Sequence, residues 1–251
     1  MKSLAAAALV LTGLAVPSVA TAATVTVTYE AYNAGAVASA LADRDMFFNG
    51  ATTAGEDFEG FVACPADGCA SGTVRTGVGD FVGFGGAISN GGSQVNPKDK
   101  VVVRSGTPNP FGRFNVTPGG AKWLDSNDRE GIMWTVLTPG STYLSKIAFL
   151  LTDLDDVGNV LFTITVKGLD LTPTIVPRAG TNGNIGDGKL HLVTIDFDGP
   201  TEDVVIKMKN GTGDGFGIDG IRLAAVPLPA GGLLLLAGLG GLALLRRRRA
   251  A

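Results

Sequence analysis

Short stretches in which apolar and polar residues alternate recur along most of the chain. In the first stretch, residues 24–29, β-branched residues at a period of two predict a strand. Glycine, proline, asparagine and aspartate separate the later stretches, as expected for many tight turns. We predict these later strands at residues 57–63, 73–78, 79–88, 100–104, 113–116, 131–137, 145–151, 160–167, 171–176, 190–197, 203–208 and 217–224.

One stretch follows a helical period instead. Alanine and leucine dominate residues 36–48, and Asn49-Gly50 supplies a stop signal at the end of that run. Many short strands with one short helix near the start, and no strand–helix alternation, predict an all-β fold. The size and spacing favour an antiparallel, jelly-roll-like β-sandwich.

The first 22 residues have the pattern of a secretory signal peptide, which would form a separate N-terminal helix. Lys2 supplies the positive charge, residues 4–16 are apolar, and Ala20-Thr21-Ala22 is a small-residue cleavage site. The folded body is then expected at residues 24–225, a length that suits one domain with a sizeable core.

The last part of the chain, residues 226–251, predicts a C-terminal transmembrane helix. Residues 230–245 carry no charge, and as a helix they would extend roughly 24 Å, against a hydrocarbon core of about 30 Å. Arginines at positions 246–249 place the far end in the cytoplasm. The body would therefore lie outside the cell.

A short motif precedes the apolar run: Val226, Pro227, Leu228, Pro229 and Ala230. Motif, Gly- and Leu-rich helix and arginine cluster together resemble the C-terminal sorting signal of bacterial exosortase substrates, in the VPLPA form of the PEP-CTERM class. The resemblance implies cleavage near the motif by a membrane-embedded exosortase, followed by release or attachment to the cell surface or an exopolysaccharide matrix. The prolines favour an extended, accessible motif. A plain single-span anchor is the alternative.

The net charge of the body indicates which kinds of partner it can bind. It contains 15 basic and 23 acidic residues, a formal net charge of −8. This balance argues against nucleic acid as a partner, because phosphate neutralisation needs a basic surface. It is compatible with binding of divalent cations.

Two cysteines, Cys64 and Cys69, are the only ones in the chain. In an exported protein they predict a disulfide that closes a short loop.

Two sets of carboxylates are candidate calcium ligands. Asp153, Asp155 and Asp156 follow an apolar strand, and alternate residues of a strand share a face. They also have the composition of a tight turn, in which carboxylates cap the loop.

Glu59 and Asp219 form the second set. Each stands among apolar residues, and the first and last strands of a jelly roll are often neighbours, so the two carboxylates are expected to meet around a cation. Simple outward alternation, with Phe58 and Ile218 pointing into the core, explains the same pattern without a metal.

Trp123 is the candidate aromatic platform for a sugar, since its flanking glycines and polar residues indicate a loop. Trp134 lies in an apolar strand and is expected in the core. The body also resembles the β-sandwich domains often carried by exosortase-sorted proteins, at residues 57–61, 123–127, 149–158 and 214–219. That resemblance implies a lectin-like or carbohydrate-module-like sandwich.

No nucleophile elbow, zinc motif, phosphate loop or dinucleotide fingerprint occurs in the sequence. We therefore expect a non-catalytic binding or structural protein of the cell surface or matrix, with exopolysaccharide as a candidate partner. The alternative is an extracellular polysaccharide-active enzyme, a glycoside hydrolase or lyase, because its paired carboxylates need no fixed spacing in the sequence.

Overall fold

The computed structural model describes residues 25–51, 53–63, 72–87, 100–106, 112–127, 129–137, 143–154, 162–166, 190–210 and 215–225. The predicted signal helix, the sorting motif, the predicted membrane helix, the two cysteines, Asp155 and Asp156 lie outside these residues. Within the described ranges, no helix is both long and apolar enough to cross a membrane.

The described residues form two antiparallel β-sheets and one α-helix, which confirms the all-β, sandwich-like prediction. The helix α1 comprises Val37–Phe48 and follows a 3₁₀ turn at Ala34–Ala36. The strands are β1 (Val25–Tyr32), β2 (Thr53–Glu56), β3 (Val74–Thr76), β4 (Gly79–Ala87), β5 (Val102–Ser105), β6 (Lys122–Asp125), β7 (Arg129–Val136), β8 (Leu144–Thr152), β9 (Thr163–Val166), β10 (Leu190–Thr201), β11 (Val205–Lys209) and β12 (Gly217–Ala225).

The first sheet has the strand order β1-β10-β8-β12-β6-β5, and β2 also pairs with β12. Strands β2 and β6 share one edge of β12: β6 pairs with Gly217 and Ile218, and β2 pairs with the stretch from Ile221 to Ala224. The second sheet has the order β3-β4-β7-β11-β9. Strand β12, the last strand that the structure describes, therefore lies inside the first sheet, between strands from distant parts of the sequence.

The main core lies between the sheets. Trp134, predicted to be a core residue, is fully buried there and stacks on Phe81 with ring centroids 5.1 Å apart. Its indole Nε1 donates to the Val78 carbonyl at 3.1 Å, which satisfies the one polar atom of the side chain.

A second core covers the outer face of the first sheet. Ala40, Leu41 and Phe48 of α1 pack with Ala148 and Leu150 of β8. The helix is the one predicted from the sequence, and it ends where Asn49 takes a left-handed conformation (φ 47°). Strand β8 is consequently apolar on both faces, which explains its nearly continuous hydrophobic sequence.

Two of the strand predictions and one loop prediction were wrong. Residues 57–63 form a turn after β2, because Phe58 adopts a positive φ of 57° and its carbonyl accepts a hydrogen bond from the Phe61 N–H. Residues 113–116 have no regular secondary structure. Conversely, the region around Trp123 that was predicted as a loop is strand β6.

Candidate functional site

Residues 112–120, which we call the crossing segment, run over the outer face of the first sheet without forming a strand. Phe114 and Val116 fix the segment by packing into the second core beside α1. Its polar residues reach four carboxylates elsewhere in the chain, those of Glu59, Asp125, Asp153 and Asp219. The segment is therefore the centre of the polar site described below.

Asp219 lies on β12 at an irregularity in the pairing with β8. Ile218 and Ile221 both belong to the core between the sheets, so one extra residue intervenes, and Gly220 accommodates it with a φ of 61°. Asp219 is thereby turned towards the crossing segment, where it is 2% exposed.

Hydrogen-bond donors surround the Asp219 carboxylate. Oδ2 accepts from the main-chain N–H groups of Val116 (2.8 Å) and Thr117 (3.2 Å), and Oδ1 accepts from the Gly220 N–H (2.6 Å). Burial raises the pKa of Asp219 to about 7, although these hydrogen bonds act in the opposite direction.

Glu59 lies in the turn after β2 and holds the two residues that follow the crossing segment. Its Oε1 accepts from the main-chain N–H groups of Ala121 (2.7 Å) and Lys122 (2.6 Å). Lys122 Nζ donates back to the Glu59 carbonyl at 2.6 Å.

Asn115 joins the two carboxylates. Its Nδ2 lies 3.2 Å from Glu59 Oε1, 3.1 Å from Asp219 Oδ2 and 2.8 Å from the Lys122 carbonyl oxygen. The structure thus brings together Glu59 and Asp219, which the sequence predicted as neighbours, with an amide group between them.

The atoms around this pair do not fit a calcium ion as they are arranged. Calcium needs six to eight oxygen ligands, whereas the groups facing both carboxylates are mainly N–H donors. Among the residues that the structure describes, no three His, Cys, Asp or Glu side chains are grouped closely enough to hold a metal. N–H donors thus take the place that the sequence analysis gave to a cation.

Asp153, the described member of the other predicted calcium set, pairs with an arginine. Arg113 Nε lies 3.1 Å from Asp153 Oδ2, and Arg113 Nη1 lies 3.0 Å from Asp125 Oδ1. Arg104 Nε approaches Asp125 Oδ2 at 2.7 Å. Two guanidinium groups therefore balance two carboxylates, and Asp125, Asp153 and Arg113 are each at most 3% exposed.

The prediction of Trp123 as an open sugar platform is wrong. Trp123 lies on β6 and is 1% exposed. Gly217 of the neighbouring strand β12 leaves room for the indole, because a Cβ at that position would lie 3.1 Å from Trp123 Cδ1. A buried ring cannot stack on a sugar at the surface.

Arg113, Asn115 and Thr117 organise the site, and none was singled out from the sequence. Their partners are distant in the chain, with Asn115 and Asp219 separated by 104 positions. Residues 113–117 alternate between polar and apolar side chains, which predicted a strand there and gave no local signal of a polar site.

No protein-family model matches the chain, and no curated protein matches it in sequence. Among solved structures, the K2 cleaved adhesin domain of Lys-gingipain is similar over 70% of this chain and 99% of that domain. The two share 13% sequence identity, and the TM-score is 0.39.

Proposed function

We propose that this chain is an exported protein that an exosortase sorts to the cell surface or the extracellular matrix, where its β-sandwich has a non-catalytic binding or structural role. The observation that carries the proposal is the order of sandwich, motif, apolar run and arginine cluster. Strand β12 ends at Ala225, directly before the motif begins at Val226. A cut at the motif would therefore leave every described strand intact.

The use made of the buried carboxylates supports a non-catalytic sandwich. Asp125 and Asp153 are engaged by arginines, and Asp219 is engaged by main-chain N–H groups. In these positions the carboxylates hold the crossing segment against the sheet, which is a structural role and not a catalytic one. Exposed surface elsewhere on the sandwich would then provide the contacts with matrix or partner.

Processing at the motif is the direct test of this proposal. We expect the protein recovered from the surface of a host with an exosortase to lack residues 1–22 and the four terminal arginines. Replacement of both Pro227 and Pro229 by alanine should leave the tail uncut, because the motif could then continue into the helix. Intact-mass spectrometry measures both outcomes.

The control for this experiment is Pro173→Ala, which removes a proline outside the motif. If the unsubstituted protein recovered from the surface still carries all four arginines, the sorting proposal is wrong and the tail is a plain membrane anchor.

A separate prediction concerns the effect of calcium on the melting temperature. N–H donors fill the site between Glu59 and Asp219. We therefore expect this pair to contribute no difference between the melting temperatures of the full-length protein in calcium and in EGTA. A ligand present at a hundred times its dissociation constant would stabilise the folded state by about 2.7 kcal/mol, which a melting curve resolves.

A calcium-dependent rise in melting temperature that Asp219→Asn abolishes would contradict the N–H arrangement and restore a cation at the pair. A rise that instead persists in Asp219→Asn but disappears in Asp155→Asn would assign calcium to residues 153–156.

A further inference from the structure

An open cleft lies at the C-terminal end of α1, away from the crossing segment. Asp45, Phe48, Gly50, Ala51 and Arg222 line it, and its volume is about 260 Å³. This is below the roughly 300–1,000 Å³ of pockets that enclose drug-sized ligands. The cleft therefore suits a small chemical unit, such as one residue of a longer chain that continues into solvent.

Arg222 supplies the cleft with a positive charge. The side chain crosses β2 at Gly55, where any Cβ would collide with the guanidinium. Arg222 Nη1 donates to the Ile221 carbonyl at 2.9 Å. None of the ion pairs among the described residues includes Arg222, although the body as a whole is strongly acidic.

A second arginine lies behind the first. Arg44 is 5% exposed, and its Nη1 donates to the Gly220 carbonyl at 2.9 Å. The pKa of Arg44 is lowered, chiefly by burial, and the positive charge of Arg222 contributes to this shift. Because Arg44 is paired with Asp45, the positive charge of Arg222 is left over, which favours an anion at the mouth of the cleft.

Asp45 limits the kind of anion. Its Oδ1 accepts hydrogen bonds from Arg44 Nε (2.9 Å) and Nη2 (2.7 Å), and its side chain is 64% exposed. The carbonyl groups at the end of α1 add partial negative charge near the same place. A phosphate dianion is therefore disfavoured, while a single carboxylate with neighbouring hydroxyl groups can use both the arginine and the aspartate.

We propose that this cleft is a binding site for a uronate residue of an acidic polysaccharide, with the sugar carboxylate on Arg222 and a ring hydroxyl donating to Asp45. The site gives the sandwich a defined polysaccharide ligand, and in that respect it rests on the proposed matrix function. It can fail while the sorting proposal stands, because processing of the tail does not involve the cleft.

The test is calorimetric titration of the full-length protein in detergent with a galacturonate trisaccharide. We expect binding that weakens as salt is raised. Arg222→Gln should lower the affinity about tenfold or more, because it removes a charge-assisted pair. The affinity of Arg222→Lys should lie between those of Arg222→Gln and the unsubstituted protein, because lysine keeps the charge and lacks the planar guanidinium group. The charge-matched control is Arg75→Gln, an exposed arginine on β3 in the other sheet, and it should bind as the unsubstituted protein does.

Equal affinity of Arg222→Gln and the unsubstituted protein, or no binding of the trisaccharide, would overturn the assignment. Competition by inorganic phosphate at the same concentration as the trisaccharide would also overturn it, since the cleft would then be a general anion site. Galactose trisaccharide should bind more weakly than galacturonate, and equal binding would exclude the role of Arg222. Melting curves identify any variant that has lost its fold.

Discussion

Replacing Arg113 by methionine is expected to destabilise the protein by about 3–5 kcal/mol, the usual cost of removing one partner from a buried ion pair. Arg113 is 3% exposed and contacts both Asp125 and Asp153. Methionine keeps much of the side-chain volume, so the effect reports the two carboxylates that lose their partner rather than a cavity. Urea unfolding of the full-length protein measures the loss.

The matched control is Arg75→Met, since the Arg75 side chain is 80% exposed and its Nε lies 3.6 Å from Asp80 Oδ2. Such a surface change should alter stability by about 0.5 kcal/mol or less. The double variant Arg113→Met, Asp153→Asn should recover part of the lost stability, because one uncompensated charge is removed. A loss in Arg113→Met no larger than that of the control would show that Arg113 does not hold the site together.

Stability should also fall as the pH rises from about 4 to about 7, and Asp219 should be a main cause. The ordinary pKa of an aspartate carboxyl is 3.8, and burial raises the pKa of Asp219 to about 7 in the folded protein. The folded protein therefore keeps a proton that the unfolded chain releases, and this contribution is fully present below about pH 4 and lost as the pH passes about 7. The difference corresponds to about 4 kcal/mol.

Asp219→Asn should flatten this part of the pH profile, even though its stability at low pH is itself reduced by an amide facing N–H donors. Urea unfolding at intervals between about pH 4 and pH 8 gives both profiles. Asp198→Asn, at an exposed position of β10, is the matched control. A variant profile parallel to that of the unsubstituted protein would show that Asp219 does not take up a proton in this range. Glu56, whose pKa burial also raises, remains in both proteins and cancels in the comparison.

Local patterns were sufficient to predict the helix and most strands. The alanine-rich stretch before Asn49-Gly50 contains its own stop signal, and the apolar run of β8 reports burial of both of its faces. The proximity of Glu59 and Asp219 followed from expecting early and late strands to be neighbours, and β2 does pair with β12.

The rest depends on contacts that no local pattern records. The flanks of Trp123 indicate a loop, but β5 and β12 pair with both sides of the stretch and make it a buried strand. Arg113 is an isolated charge in the sequence, and its role is evident only when β6 and β8 end on opposite sides of β12. The same limit applies to the predicted cation: an acidic residue in apolar surroundings signals a need for partners, without specifying whether these are metal ions or N–H groups.

The position of β12 has a mechanical consequence for a protein joined to a matrix through its carboxyl end. Tension on the residue after Ala225 would act along the axis of a strand that is bonded to β8 on one side and to β2 and β6 on the other. Antiparallel hydrogen bonds lie perpendicular to the strands, so such a force shears many of them at once instead of opening them one by one from an edge. An attachment point at this end would therefore place the load on a strand that is hydrogen-bonded on both sides.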